Sequence, residues 1–306
     1  MRLAMKTIKK IIYAWISQKF MGRCSSYNSL ETRKGCRSKE QARDAFSKGS
    51  IPHAQGKIFF NPWVAHKFAK EHGFPLVIKP NVSGFSRGSH FPITSYRQLY
   101  KAIFLAKLWW PTTVVEQYLQ GKNYRVVVIK GQVMSVIERF APFVMGDGKM
   151  TIRELIDQEN VVRESMALFP CISPLKKNAV TVKFLKKQNL TLDDIPAEGN
   201  IVTLFYRISL APGGVVKTID KTTISTKNTA LFLKVLELFD ANILGIDVIF
   251  AQDITKDYTE QKCIFLEVNS RPYLKMHDYP RFGEKEDLTP YFKQLEQLDI
   301  SQADIF

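Results

Sequence analysis

Leu244-Gly-Ile-Asp-Val-Ile-Phe250 and, a short way on, Cys263-Ile-Phe-Leu-Glu-Val-Asn269 are apolar runs of strand length with polar residues where a core strand has none. Glu267 and Asn269 are two residues apart, so a strand points them to one face. Asp247 sits between Ile246 and Val248. A carboxylate there costs free energy unless it is paired or holds a cation. Two readings stay open. The acids are satisfied by buried Arg or Lys, or Asp247, Glu267 and Asn269 form a hard oxygen set for Mg²⁺ (or Mn²⁺) held with nucleotide phosphates.

A second signal lies upstream. Phe74-Pro-Leu-Val-Ile-Lys-Pro80 reads as a strand ending in Lys79, and Asn81-Val-Ser-Gly-Phe-Ser-Arg-Gly-Ser89 follows at once. Gly84 and Gly88 allow a tight turn that brings backbone N–H groups close to an anion. Ser83, Ser86, Ser89 and Arg87 add donors suited to phosphate oxygens. The run is neither a Walker A sequence nor a dinucleotide fingerprint. A lysine directly before it, with the acidic set farther on, makes it more specific than a plain turn.

Three further stretches carry a resemblance. They are Val115-Glu-Gln-Tyr-Leu-Gln-Gly-Lys-Asn-Tyr-Arg125, Val133-Met-Ser-Val-Ile-Glu-Arg139 and Gly146-Asp-Gly-Lys-Met-Thr-Ile-Arg-Glu-Leu-Ile156. With Glu267-Val-Asn269, Met276-His277 and Tyr279-Pro280, they make the chain resemble the ATP-grasp superfamily. The likeness is to the ligase domains of cyanophycin synthetase and of bifunctional glutathione synthetase, over about residues 37–298. It implies an α+β fold of two lobes with ATP bound between them. The expected division is a basic leader over 1–36, a small lobe over 37–118 and a large lobe with the metal site over 119–306.

The resemblance also implies roles. Lys39 and Lys79 look like the lysine pair on the ATP phosphates, a task suited to a point charge. Ser38-Lys39-Glu40 also reads as an ordinary solvated helix start. Ser83, Gly84, Ser86, Arg87 and Gly88 belong to the phosphate loop. Glu116, Gln117, Tyr118 and Leu119 resemble the segment whose backbone reads adenine. Asn123 falls where relatives often place an acid on the ribose hydroxyls. Asp247, Glu267 and Asn269 match the metal ligands. Arg125 and Arg139 lie on strands that a Lys130-Gly131 turn joins as a hairpin, and resemble the arginines facing the γ-phosphate or an acyl phosphate. A pair of surface strand arginines is the alternative.

The implied chemistry is carboxylate activation: an acyl phosphate forms from ATP, an amine attacks, and phosphate leaves. Positioning and charge neutralisation carry such a reaction. The histidines show no zinc spacing; His277 reads as a core histidine or as a neighbour of the amine substrate. The chain departs from relatives at Phe205 and Ser209, where they typically carry Arg and Asn ahead of the Gly-Gly that is here Gly213-Gly214. Arg207, two residues from the expected arginine, faces the same way if the segment is a strand. Residues 160–175 lack the Asp-Pro-Arg-Arg-Gly pattern of relatives. These differences fall where substrate is handled, so an amino-acid or peptide substrate is implied without its identity. An inactive nucleotide-binding module acting with a partner is the alternative. Only 38 residues precede Lys39, so a partner chain, a dimer mate or residues 160–215 are expected to bind the acceptor.

Composition fits a globular enzyme: 306 residues, 45% of them hydrophobic, can bury a sizeable core in one large or two smaller domains. The cysteines form no C-x-x-C and no disulfide framework, which fits a reducing cytoplasm. Residues 1–40 hold ten Lys/Arg and two Glu, more than half of the formal net charge of +15. Ala4, Ile8, Ile11, Ile12, Trp15, Ile16 and Phe20 fall on one helical face, with Arg2, Lys6, Lys9 and Lys10 mostly on the other. Such a helix docks on the body, rests on an anionic membrane as a peripheral contact, or meets a partner. Its short apolar core and the lack of an A-x-A site argue against a signal peptide. Lys176, Lys177, Lys183, Lys186 and Lys187 read as a solvated face, and no basic–aromatic module points to nucleic acid. Thr151-Ile-Arg-Glu154 predicts a capped helix start, and a helix is expected over 229–240.

Overall fold

The computed structural model describes residues 27–36, 39–81 and 88–297. Helix α1 is Leu30–Gly35 and α2 is Lys39–Lys48. Two compact units emerge. The first holds residues through Val136, Asp220–Leu274 and Asp287 onward; the second holds Ile137–Ile219 and Lys275–Glu286.

The first unit contains an antiparallel sheet of β1 (Gly56–Phe59), β2 (Leu76–Pro80), β3 (His90–Ile93) and β4 (Thr113–Gln117) in the order β1-β4-β2-β3. Helices α3 (Pro62–His72) and α4 (Tyr96–Lys107) pack on it. Phe68, Leu76, Ile78, Leu99, Ile103 and Val115 form its core. Helix α3 begins at Pro62, where proline's fixed φ suits the first turn, and Asn61 accepts from the Trp63 N–H. It stops at Gly73, whose φ of 73° favours a residue without Cβ.

The second sheet of this unit is built on β5 (Lys122–Ile129), β10 (Ile243–Phe250) and β11 (Cys263–Asn269), with β10 in the middle. Strand β6 (Gln132–Phe140) follows β5 across the expected Lys130-Gly131 turn, with Gly131 at φ 77°. Helix α7 (Thr226–Leu238) covers 229–238 of the expected helix and sets Phe232 against Phe250 and Phe265. Residues 27–36 belong to this packing. Asn28 donates to the Ile243 and Ser270 carbonyls at 2.7 and 2.8 Å, and the Thr32 hydroxyl donates to the Asp240 carbonyl. Helix α8 (Thr289–Glu296) brings Leu295 to the cluster of Tyr27, Val127 and Ile243.

In the second unit, Ile137–Phe140 of β6 pairs antiparallel with β9 (Val215–Thr218), and β7 (Phe143–Met145) pairs with β8 (Ile201–Thr203). Helices α5 (Ile152–Ser165) and α6 (Ala179–Lys186) close a core around Ile152, Ile156, Leu185 and Val202. The Thr151/Glu154 capping box is present: each side chain accepts from the other's backbone N–H. Residues 205–209 are irregular rather than a strand, so alternation does not orient Arg207. No helix among the described residues is long and apolar enough to cross a membrane. Residues 1–26, with the basic amphipathic pattern, lie outside the described residues.

Candidate active site

Strand β10 is buried along almost its whole length, and Asp247 is buried with it at 5% exposed. Its register decides its surroundings. Asp247 pairs with Arg125 on β5 and with Glu267 on β11; Gly245 pairs with Asn269. Cross-strand partners share a face, so Arg125, Asp247, Glu267 and Asn269 form one polar patch. Asn123, two residues before Arg125, lies on the same face. Gly245 makes room: a Cβ there would meet Pro272 at 2.8 Å and the Arg125 guanidinium at 3.1 Å.

Asp247 accepts a fork of hydrogen bonds from Arg125, from Nε to Oδ1 and from Nη2 to Oδ2 at 3.1 Å. This is the ion-pair reading of the buried acid, met within the polar face. Glu267 is less committed. Its nearest cation is Lys39, with Nζ 3.8 Å from Oε2, and its side chain is 36% exposed. The Asn269 amide nitrogen is buried with no hydrogen-bond partner.

Lys39 opens α2 and points to Glu267. Burial pulls its ammonium below the ordinary lysine value; Glu267 opposes this, Lys79 adds to it, and Glu116 and Asp247 oppose it. Lys39 is therefore within electrostatic reach of the other four groups. Lys79, near the end of β2, donates to Glu116 on β4 in a buried ion pair. The resemblance separately implies phosphate and adenine roles for these two residues; the antiparallel β2–β4 pairing joins them. The Gln117 and Tyr118 N–H groups donate to the Gln55 and Pro75 carbonyls at 3.0 and 3.3 Å.

A small cavity beside these groups is lined by Lys39, Arg43, Phe46, His53, Glu116 and Phe265. Arg43, Phe46 and His53 are not among the site residues the sequence named. Arg43 follows Lys39 by four positions, the spacing that puts two residues on one helix face, and that signal was present. His53 reaches the cavity through a tertiary turn that no spacing announces.

Ser83, Gly84, Ser86 and Arg87 lie outside the described residues. Gly88, at the loop's end, has φ 71°, and a Cβ there would meet Trp109 at 2.6 Å. Asn81, just before the loop, keeps a buried side-chain oxygen without a hydrogen-bond partner. Leu119 follows β4 in the segment leading to β5. Arg139 and Arg207 belong to the second unit. Arg139 pairs in register with Val216. The Arg207 guanidinium lies 5.1 Å over the Phe205 ring, with its Nε buried and unpaired. Phe205 itself packs on Phe184 and Tyr206.

The Asp247 and Glu267 carboxylates and the Asn269 amide oxygen, on one sheet face, are hard oxygen donors of the kind that suits a divalent cation carried with phosphates. Among the described residues, no group of three His, Cys, Asp or Glu stands as a site by itself.

The fold is that of the ATP-grasp superfamily, whose members the chain resembles in sequence. The sequence is 30% identical over 288 residues to a cyanophycin synthetase of Crocosphaera subtropica, covering 92% of this chain and 33% of that protein. The crystal structure of a bifunctional glutathione synthetase from Pasteurella multocida shares the fold at a TM-score of 0.63 and 22% identity, over 89% of this chain and 38% of that one. A structure of the ATP-grasp ligase PsnB complexed with a precursor variant, Mg and ADP matches at a TM-score of 0.52 and 14% identity, over 96% of this chain and 68% of that one. The chain spans about a third of the length of the curated relatives it matches. No protein-family model matches it.

Proposed function

We propose that the chain is an ADP-forming carboxylate–amine ligase acting on amino acids or short peptides. The observation that carries this is the single sheet face holding Arg125, Asp247, Glu267 and Asn269, with Lys39 against Glu267. A substrate carboxylate oxygen attacks the γ-phosphorus of ATP, the bond to the β-phosphate oxygen breaks, and ADP leaves. The amine then attacks the acyl carbon, and the carbon–oxygen bond to phosphate breaks.

In this reading Lys39 and Lys79 hold the phosphates, Lys79 after exchanging Glu116 for a phosphate oxygen. Residues 83–88 fold over the phosphates; Glu116–Leu119 and Asn123 hold adenine and ribose. Arg125 turns from Asp247 toward the transferred phosphoryl group, and Arg139 and Arg207 meet the phosphoryl group or the substrate carboxylate. Asp247, Glu267 and Asn269 would hold Mg²⁺ or Mn²⁺, which neutralises phosphate charge. The lobes 37–118 and 119–306 are the proposed functional division. A cytoplasmic setting, a peripheral role for the leader, and an acceptor site completed by a dimer mate or partner belong to the same reading.

A second reading, a nucleotide-binding module without ligation, is favoured by the apolar Phe184–Phe205–Tyr206 packing where relatives typically place an arginine. The test incubates the protein with Mg-ATP, pooled amino acids and glutamyl or aspartyl peptides, and follows ADP, phosphate and new masses. Ligation yields all three together. ATP binding without turnover across that panel selects the second reading.

A further inference from the structure

The exposed aromatic and aliphatic side chains of the first unit gather on two helices and the residues flanking them. Trp63, Tyr96, Tyr100, Phe104, Leu108 and Trp110 are between 38% and 70% exposed. Along α4, Tyr96, Tyr100 and Phe104 follow at four-residue spacing, and Leu108 continues past the helix end, so one stripe faces solvent. The stripe joins α3 through stacked rings. Trp63 lies on His66 at 4.4 Å and His66 on Tyr96 at 4.7 Å, while the Tyr100 hydroxyl is 3.1 Å from His66 Nδ1. None of these side chains is needed by the core beneath, which is closed by Phe68, Leu99 and Ile103. A contiguous apolar surface of this kind marks a contact site.

Its charge says what it contacts. Lys67 and Lys70 follow Trp63 along α3, and Arg97 and Lys101 run beside Tyr96 and Tyr100, all exposed. Residues 56–112 contain eight Lys/Arg and one acid, Glu71, which faces Lys57 at 3.5 Å. Residues 113–306 contain 24 Lys/Arg and 25 Asp/Glu, so beyond residues 1–40 the basic excess is concentrated in this stretch. Amphipathic Trp and Tyr rings with interleaved Lys and Arg match the headgroup boundary of an anionic bilayer. Other occupants fit less well. A second copy would set two strongly basic faces together, and the basic stretch 1–40 has the same sign. Phe104 and Leu108 offer nothing to the polar edges of bases.

We propose that the outer face of α3 and α4 docks on an anionic lipid surface. Phe104, Leu108 and the exposed tryptophans enter the headgroup boundary, and Lys67, Lys70, Arg97 and Lys101 lie over lipid phosphates. None of these residues belongs to the polar face of β5, β10 and β11.

The test uses the full chain carrying Trp15→Phe, which leaves Trp63, Trp109 and Trp110 as its tryptophans. Vesicles of phosphatidylglycerol with brominated phosphatidylcholine should quench their fluorescence. Vesicles of brominated phosphatidylcholine alone should not, and added salt should reverse the effect. The paired substitution Phe104→Ser/Leu108→Ser should lower vesicle partitioning about tenfold or more. Arg97→Glu/Lys101→Glu should do so too, since each nearby basic residue strengthens such binding about fivefold. All four positions are exposed, and an unchanged thermal melt verifies the fold. The proposal is overturned if tryptophan fluorescence is unquenched on anionic vesicles, or if binding is unchanged in both variants. It is equally overturned if the same substitutions abolish self-association or oligonucleotide binding while no vesicle binding is seen.

Discussion

Two buried ionic clusters in this protein look alike in composition and differ in how they close. In the second unit, Arg163 is 1% exposed and donates to Glu159 at 2.8 Å and to the Ser173 and Gly213 carbonyls at 3.2 and 2.8 Å. Arg281 grips the same Glu159 through Nε and Nη2, at 3.0 and 2.9 Å. Every group there has found protein partners. On the β5–β10–β11 face, Arg125 and Asp247 close a fork of hydrogen bonds. Glu267 keeps a distant lysine, and the Asn269 amide nitrogen has no partner. A cluster that satisfies itself is scaffolding, whereas one that leaves buried valence open needs something from outside to complete it.

The largest effect that would break this contrast is on turnover. Glu267→Ala should lower ligation by about three orders of magnitude, from the several kcal/mol a metal-held phosphate contributes, while the melting curve stays near that of the parent. Loss of folding, with nucleotide affinity indifferent to Mg²⁺, would instead make the open cluster a second piece of scaffolding. The closed cluster should behave the opposite way. Arg163→Ala should destabilise the fold by about 3–5 kcal/mol, because it leaves a carboxylate and two carbonyls short of a partner; urea unfolding measures it.

Lys39→Ala should weaken ATP binding about tenfold, the loss of one charge-assisted contact, with the urea midpoint little changed; calorimetric titration reads the affinity. The pH dependence sharpens the comparison further. Burial pushes the Glu159 carboxyl up, but hydrogen bonds and charge from Arg281 and Arg163 outweigh it and hold the group below its ordinary 4.5. A carboxyl depressed in the folded state stabilises fully above the unfolded value and loses that contribution as pH falls through the folded value. Glu159→Gln should therefore flatten the stability decline below about pH 4.5, as urea midpoints between about pH 3 and 6 would record. The smallest change is Thr151→Ala, which removes the capping box of α5 at about 1 kcal/mol and should leave ATP binding untouched, as parallel melts and nucleotide titrations would verify.

Much of this was legible in order of locality. The β5–β6 hairpin, the capping box and the α7 helix follow from turn chemistry and spacing within a few residues. Asp247, Glu267 and Asn269 announced themselves as polar residues in apolar strands, because burial without compensation is costly. The irregular backbone at 205–209 was not legible, since alternation assumes a ladder partner that the chain does not provide there.

By itself the sequence determined the α+β class, through the motifs it shares with ATP-grasp ligases, and the strands that carry the polar residues and the face on which Glu267 and Asn269 sit, through a period of two. Tertiary structure alone decided the partners. Lys79 meets Glu116, Arg125 meets Asp247, and Arg43 with His53 reaches the cavity through strand register and helix docking across dozens to more than a hundred positions. A one-residue slip in β10 would turn Asp247 away from both Arg125 and Glu267. That register is held by the packing of whole strands, so no local pattern encodes it.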